Sequence, residues 1–147
     1  MSVLRIVQFT DPHLYGSENE SLRGVPTLPA LRAALAHARA RDWPPHALLV
    51  TGDIVQDDPG GYSHFRRVFA GLGLPVLCLP GNHDEPEAMR RELAGEPFVL
   101  GDFFDIGHAH RHTGVAGVGA LHGVHGERTD GVGEIAACSH ATLWDGR

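Results

Sequence analysis

Three short apolar runs constrain this chain more than any other feature. Val3 to Thr10, Ala47 to Thr51 and Val76 to Leu79 are each strand-like. Each runs directly into residues able to hold a metal ion or move a proton: Asp11-x-His13, Gly52-Asp53 and Gly81-Asn82-His83-Asp84. Helical patterns separate the runs. Leu28, Leu31, Leu35 and Ala38 recur at spacings of three and four, which predicts a helix from Leu28 to Arg41. Thr27 is its expected N-cap, Pro29 fits its first turn and Trp43-Pro44-Pro45 stops it. A second helix is predicted over residues 60 to 70, with Tyr62, Phe65, Phe69 and Leu72 on one face. A third runs from Pro86 to Leu93, with Met89 and Leu93 inward and Glu87 paired with Arg91. Phe98 to Leu100 and Phe103 to Ile106 read as short strands. This βαβαβα order predicts a largely parallel sheet with flanking helices. In such a sheet the carboxyl ends of the strands share one edge, where ligands bind. The three motifs should therefore meet in space.

Composition narrows the partners. The formal charge of −6 argues against broad nucleic-acid binding. It is compatible with an anionic substrate, because bound metal ions reverse the local field. No apolar stretch approaches the roughly 20 residues of a membrane helix, and the first residues show no signal-peptide pattern. A cytoplasmic protein with no membrane and no nucleic-acid partner is expected, its oligomeric state open. Cys78 and Cys138 lack metal-knuckle spacing, and Cys78 reads as a small buried hydrophobe.

The texture changes near residue 106. All ten prolines lie at or before Pro97, while six of the 11 histidines lie at or after His108, in a glycine-crowded segment. No convincing element is read beyond Ile106. Residues 1–106 are thus expected to form the organised part and 107–147 an atypical Gly/His-rich tail. All 12 basic residues are arginine, which points to a GC-rich coding sequence. A frame slip near residue 106 is the favoured origin of the tail, or else disorder; an internal deletion is the alternative.

Carboxylate, imidazole and amide oxygen are hard to borderline donors that suit Mn²⁺, Fe or Zn²⁺. Asp11 and His13 would lie on the same side of an extended segment. Asp53 is the candidate to bridge two ions. Two ions roughly 3.5–4 Å apart stabilise both oxygens of an in-line displacement and acidify water to hydroxide. The natural substrate is a small-molecule phosphoester. His83 is the best proton-transfer candidate, its ordinary pKa lying near neutrality.

Together, Phe9-Thr10-Asp11-Pro12-His13-Leu14, Gly24-Val25-Pro26-Thr27, Thr51-Gly52-Asp53-Ile54-Val55-Gln56-Asp57 and Leu79-Pro80-Gly81-Asn82-His83-Asp84 resemble the calcineurin-like metallophosphoesterases, and among them the bacterial class III cyclic-nucleotide phosphodiesterases. The resemblance covers about residues 3 to 101. It implies the N-terminal half of a four-layer α/β/β/α sandwich and a dinuclear site. Asp11 and His13 would bind one ion, Asp53 would bridge and Asn82 would bind the second. His83 would contact the scissile phosphate or protonate the leaving oxygen, supported by Asp84. The implied reaction is hydrolysis of a phosphodiester, foremost a 3′,5′-cyclic nucleotide. The alternatives are another phosphoester or nucleotide pyrophosphate, or an inactive truncated fragment. The family's second sheet, with a further metal-binding histidine and a Gly-His-x-His motif, has no full counterpart. Gly107-His108-Ala109-His110 spells that motif early. Lack of that sheet would leave one apolar face uncovered.

Blander roles stand beside these. Asp84 would serve as an N-cap, and Asn82 as a left-handed turn residue. His37 and His64 are expected on solvent-facing helix surfaces, His46 in a structural place, and Arg66 and Arg67 on a solvated face. The loop from Leu14 to Pro26 is either a connection or a cover over substrate.

Overall fold

A computed structural model describes residues 5–41, 43–101, 104–105, 120–121, 135–138 and 141–145. Strand β1 (Arg5–Thr10) leads to a small hairpin, β2 (Ser21–Leu22) and β3 (Val25–Pro26), and then to α1 (Thr27–Arg39). Next come β4 (Ala47–Gly52), α2 (Gly61–Phe69), a single 3-10 turn (Ala70–Leu72), β5 (Val76–Pro80), α3 (Pro86–Glu92) and β6 (Phe98–Leu100). Short strands follow: β7 (Phe104–Asp105), β8 (Ala120–Leu121), β9 (Ile135–Cys138) and β10 (Ala141–Asp145).

The main sheet has the order β6-β5-β4-β1-β10-β9. The β1, β4, β5 and β6 pairings are parallel, and β10 joins β1 antiparallel with β9 beyond it. The parallel α/β layer expected from the sequence is therefore present. The sequence does not announce the last two strands: their segment lacks clear alternation, β10 gains its place from the free edge of β1, and β9 gains its own from β10. His108 and His110, and most of the expected tail 107–147, lie outside the described residues.

Side chains alternate across the strands, yet both faces are buried, as parallel strands require. Val7, Phe9, Leu48, Val50, Val76 and Cys78 turn to the face where α1, α2 and α3 pack. Leu28, Leu31, Leu35 and Ala38 of α1 meet them there, with Tyr62, Phe65 and Phe69 of α2. Phe9 and Phe69 stand edge to face at 5.5 Å, and Phe65 and Phe69 are tilted against each other at 4.7 Å. Burial pushes the Cys78 thiol well above its ordinary pKa, which fits its reading as a hydrophobe. On the other face Ile6, Ala47, Leu49 and Leu77 form a second cluster and are only 2–7% exposed. The uncovered apolar face expected for a chain lacking its second sheet is not found at these positions.

Local corrections have local reasons. Thr27 begins α1 instead of capping it, Pro26 takes the cap position, and no side chain caps that end. Arg91 pairs with Glu92 and not with Glu87. His64 is buried, because its Nε2 reaches the Gly16 carbonyl at 2.8 Å and its Nδ1 lies 2.9 Å from Arg67. Arg66 is no free solvated residue: it donates to the Glu92 and Ala94 carbonyls at 2.9 and 3.2 Å and lies over the Phe98 ring.

Candidate metal centre

Strand register delivers the three motifs to one edge. Thr10 lies opposite Thr51, and Gly52 opposite Pro80. Beyond β1 the pairing continues irregularly: the Asp11, His13 and Leu14 amides donate to the Thr51, Asp53 and Ile54 carbonyls at 3.0, 2.9 and 2.9 Å. The segment is not extended. Asp11 and His13 have φ of 50° and 46°, in the left-handed region. That conformation costs about 1–2 kcal/mol per residue, and Asp and His are among the side chains that tolerate it. Alternating left-handed residues, and not the two-residue period of a strand, bring this pair of donors together.

One ligand atom each from Asp11, His13 and Asp53 lies within 4.8 Å of the others. His13 Nε2 is 3.9 Å from Asp53 Oδ2, beyond hydrogen-bond reach. The Asp53 amide lies 3.3 Å from Asp11 Oδ1. Two glycines permit this crowding. A Cβ at Gly52, whose φ is 77°, would overlap the Asp11 carboxylate. A Cβ at Gly81 would overlap Asp53.

The turn after β5 folds over this group. The His83 amide donates to Asp53 Oδ1 at 2.8 Å. The His83 and His13 rings stand 5.8 Å apart between centroids. Asn82 is exposed on that turn, one residue before His83. Asp84 is buried, and its role is larger than a cap. Its Oδ2 accepts from the Ile54 and Gly81 amides at 3.0 and 2.8 Å, and its Oδ1 from the Val55 amide and the Tyr62 hydroxyl at 3.2 and 2.8 Å. It thereby clamps the β4 and β5 loops to each other and to α2. The position before α3 is filled by Glu85, which makes no side-chain cap.

Asp57 is the neighbour that sequence reasoning left without a role. His83 Nδ1 lies 2.9 and 3.0 Å from its two carboxylate oxygens. Gln56 Nε2 also lies 2.9 Å from that nitrogen. A protonated Nδ1 has no lone pair to accept with, so the Asp57 bond prevails and Gln56 donates to Asp57 Oδ2 at 3.0 Å. The Asp57 hydrogen bond raises the His83 pKa above its ordinary 6.5, against a smaller opposing effect of burial. The same bond lowers that of Asp57. Asp57 sits at φ 53°, a placement that no local pattern announces.

The residues fit a divalent cation. Among the described residues the buried His13 Nδ1 has no hydrogen-bond partner, which a native imidazole rarely tolerates. The donors around it are hard carboxylates, as such ions prefer.

A parallel sheet whose strand ends gather carboxylates and histidines presents a ligand-binding edge with donors that suit a divalent ion. The chain belongs to the calcineurin-like phosphoesterase family, whose model matches residues 4–137. The match passes the compositional break at residue 106. The chain is similar to the 3′,5′-cyclic adenosine monophosphate phosphodiesterases CpdA of Escherichia coli and Pseudomonas aeruginosa. It is 38% identical to the first over 91 residues, 61% of this chain and 33% of the relative. It is 36% identical to the second over 104 residues, 69% of this chain and 38% of the relative. A 3′,5′-cyclic-nucleotide phosphodiesterase of Nostoc is 33% identical over 91 residues, 61% of this chain and 34% of its own. The chain thus spans about a third of the length of these curated relatives. Among the described residues no helix is long and apolar enough to cross a membrane.

Proposed function

We propose that this chain carries the catalytic metal centre of a phosphodiesterase that hydrolyses a 3′,5′-cyclic nucleotide in the cytoplasm, without a membrane or nucleic-acid partner. The convergence of Asp11, His13 and Asp53 ligand atoms within 4.8 Å carries this reading. Asp11 and His13 would hold one divalent ion, Asp53 would be shared, and Asn82 would reach a second from the neighbouring turn. Mn²⁺, Fe or Zn²⁺ held there would acidify water and offset phosphoryl charge.

The chain's own groups divide the remaining work. Asp57 engages His83 Nδ1, so Nε2 is the ring nitrogen left to deliver a proton to the leaving oxygen. Asp84 keeps the His83 turn seated against the Asp53 loop. Gly52 and Gly81 let the carboxylates approach closely enough to share a cation.

Metal titration followed by turnover of cyclic AMP with Mn²⁺ tests the reading. Asp53→Asn is expected to lose both bound metal and turnover. His83→Ala should keep its metal and lose about 100- to 10,000-fold in rate, the usual worth of a positioned proton donor. Metal bound without turnover would sink the catalytic reading in favour of an inactive fragment. Turnover of a pyrophosphate or monoester in place of cyclic AMP would move the substrate and leave the centre standing.

A further inference from the structure

A cleft of about 380 Å³ opens from the metal centre between the end of β1, the β2–β3 hairpin and α1. That size lies within the roughly 300–1,000 Å³ of small-molecule sites. Asp11 and His13 stand at one end, while Leu22, Arg23 and Val25 of the hairpin and Leu31 of α1 line the remainder. One end is therefore polar and adjoins the candidate ligands. The rest is largely apolar, with the Thr27 hydroxyl and a single guanidinium.

The hairpin tip is built against local preference. Arg23 and Gly24 are the two central turn residues, with φ of 50° and 82°. Turns of this type favour Asn, Asp or Gly at the first position, so arginine carries a backbone cost they avoid. Strained residues of this kind cluster at ligand clamps. The Arg23 guanidinium makes no ion pair and no hydrogen bond among the described residues. Val25 beside it is 49% exposed, an unusual place for a β-branched apolar side chain. A planar cation next to exposed aliphatic carbon suits a flat aromatic ligand, because arginine stacks on aromatic faces.

We propose that this cleft is the nucleobase pocket. It takes the base of the cyclic nucleotide between the hairpin and α1, with Arg23 stacked on the base and Leu22 and Val25 against its edge. The phosphate end of this placement rests on the phosphodiesterase reading; the base end does not.

The full chain, held in EDTA, is tested for adenosine and for ribose 5-phosphate by ligand-observed NMR. Adenosine is expected to bind and ribose 5-phosphate to bind at least tenfold more weakly. Arg23→Gly and Val25→Asp should each weaken adenosine about tenfold, a loss of about 1.4 kcal/mol. Glycine relieves the turn and residue 25 is exposed, so neither change threatens the fold. With Mn²⁺, both variants should lose about tenfold more kcat/KM on cyclic AMP than on methyl para-nitrophenyl phosphate, which has no base. No adenosine binding, or equal binding by the variants, would overturn the pocket. A loss equal for adenosine and ribose 5-phosphate would also overturn it, by making Arg23 a phosphate clamp. Absence of turnover of the base-free ester by the unaltered chain would sink the phosphodiesterase reading alone, since adenosine binding needs no metal.

Discussion

Replacing Asp84 by alanine would strand four donors at once: three amides and the Tyr62 hydroxyl. Each buried donor left unpaired costs about 1–3 kcal/mol, and water admitted to the space recovers part of it. Urea unfolding should therefore show Asp84→Ala less stable by about 3 kcal/mol or more. Tyr62→Phe removes one partner of the four, together with the hydroxyl that accepts from the Glu85 amide at 3.2 Å, and should cost about 1–2 kcal/mol. Tyr62 also sets an alkaline limit. Burial first, and then its hydrogen bond to Asp84, raises its pKa above the ordinary 10.0. The unfolded phenol ionises near 10.0 while the native one stays protonated, so the native state binds more protons there. Its stability is complete below that value and falls as pH rises beyond it. The native chain should lose stability between about pH 10 and 12, and Tyr62→Phe should flatten that decline in chemical denaturation at fixed pH. The sequence named Asp84 as a support for His83, but its four bonds come from three separate elements that only folding joins.

Helix α2 is tied to its surroundings at both faces. Phe65 and Phe69 fill the core against β1 and β6, and Phe69→Ala should cost about 3–5 kcal/mol by the loss of buried area and the cavity left. On the outer side Arg66 bonds the carbonyls that end α3. Arg66→Ala should cost about 1–2 kcal/mol and should speed amide exchange from Glu92 to Phe98 without altering metal affinity. Helical spacing exposed Phe65 and Phe69 as core residues directly. It placed Arg66 on a solvated face, because periodicity within one helix carries no information about carbonyls presented by the next.

For the whole molecule, β1 is the hinge of the architecture. It supplies Asp11 and His13, pairs with β4 on one side and accepts β10 on the other. A chain ending after Gly101 would leave that β10 edge unpaired. Open edges of this kind pair with other chains. Such a truncated chain should self-associate in size-exclusion chromatography, where the full chain should elute as a smaller species. The frame-slip origin of residues 107–147 remains our proposal, and the family match that runs on to residue 137 stands against it; reading the gene in its other two frames tests it, and it fails if neither continues the family pattern.

What the sequence determined by itself was local and repetitive: apolar runs of strand length, helical stripes of three and four, and polar motifs closing three strands. Those suffice for the parallel layer and for naming Asp11, His13, Asp53, Asn82, His83 and Asp84. Tertiary structure alone decided how these residues meet. Left-handed turns at Asp11 and His13 aim donors that strand periodicity aims differently. Asp57 reaches His83 across 26 residues, and β10 finds β1 across most of the chain. Such contacts depend on chain reversal and pairing at long range, which no short stretch of sequence encodes by its own spacing.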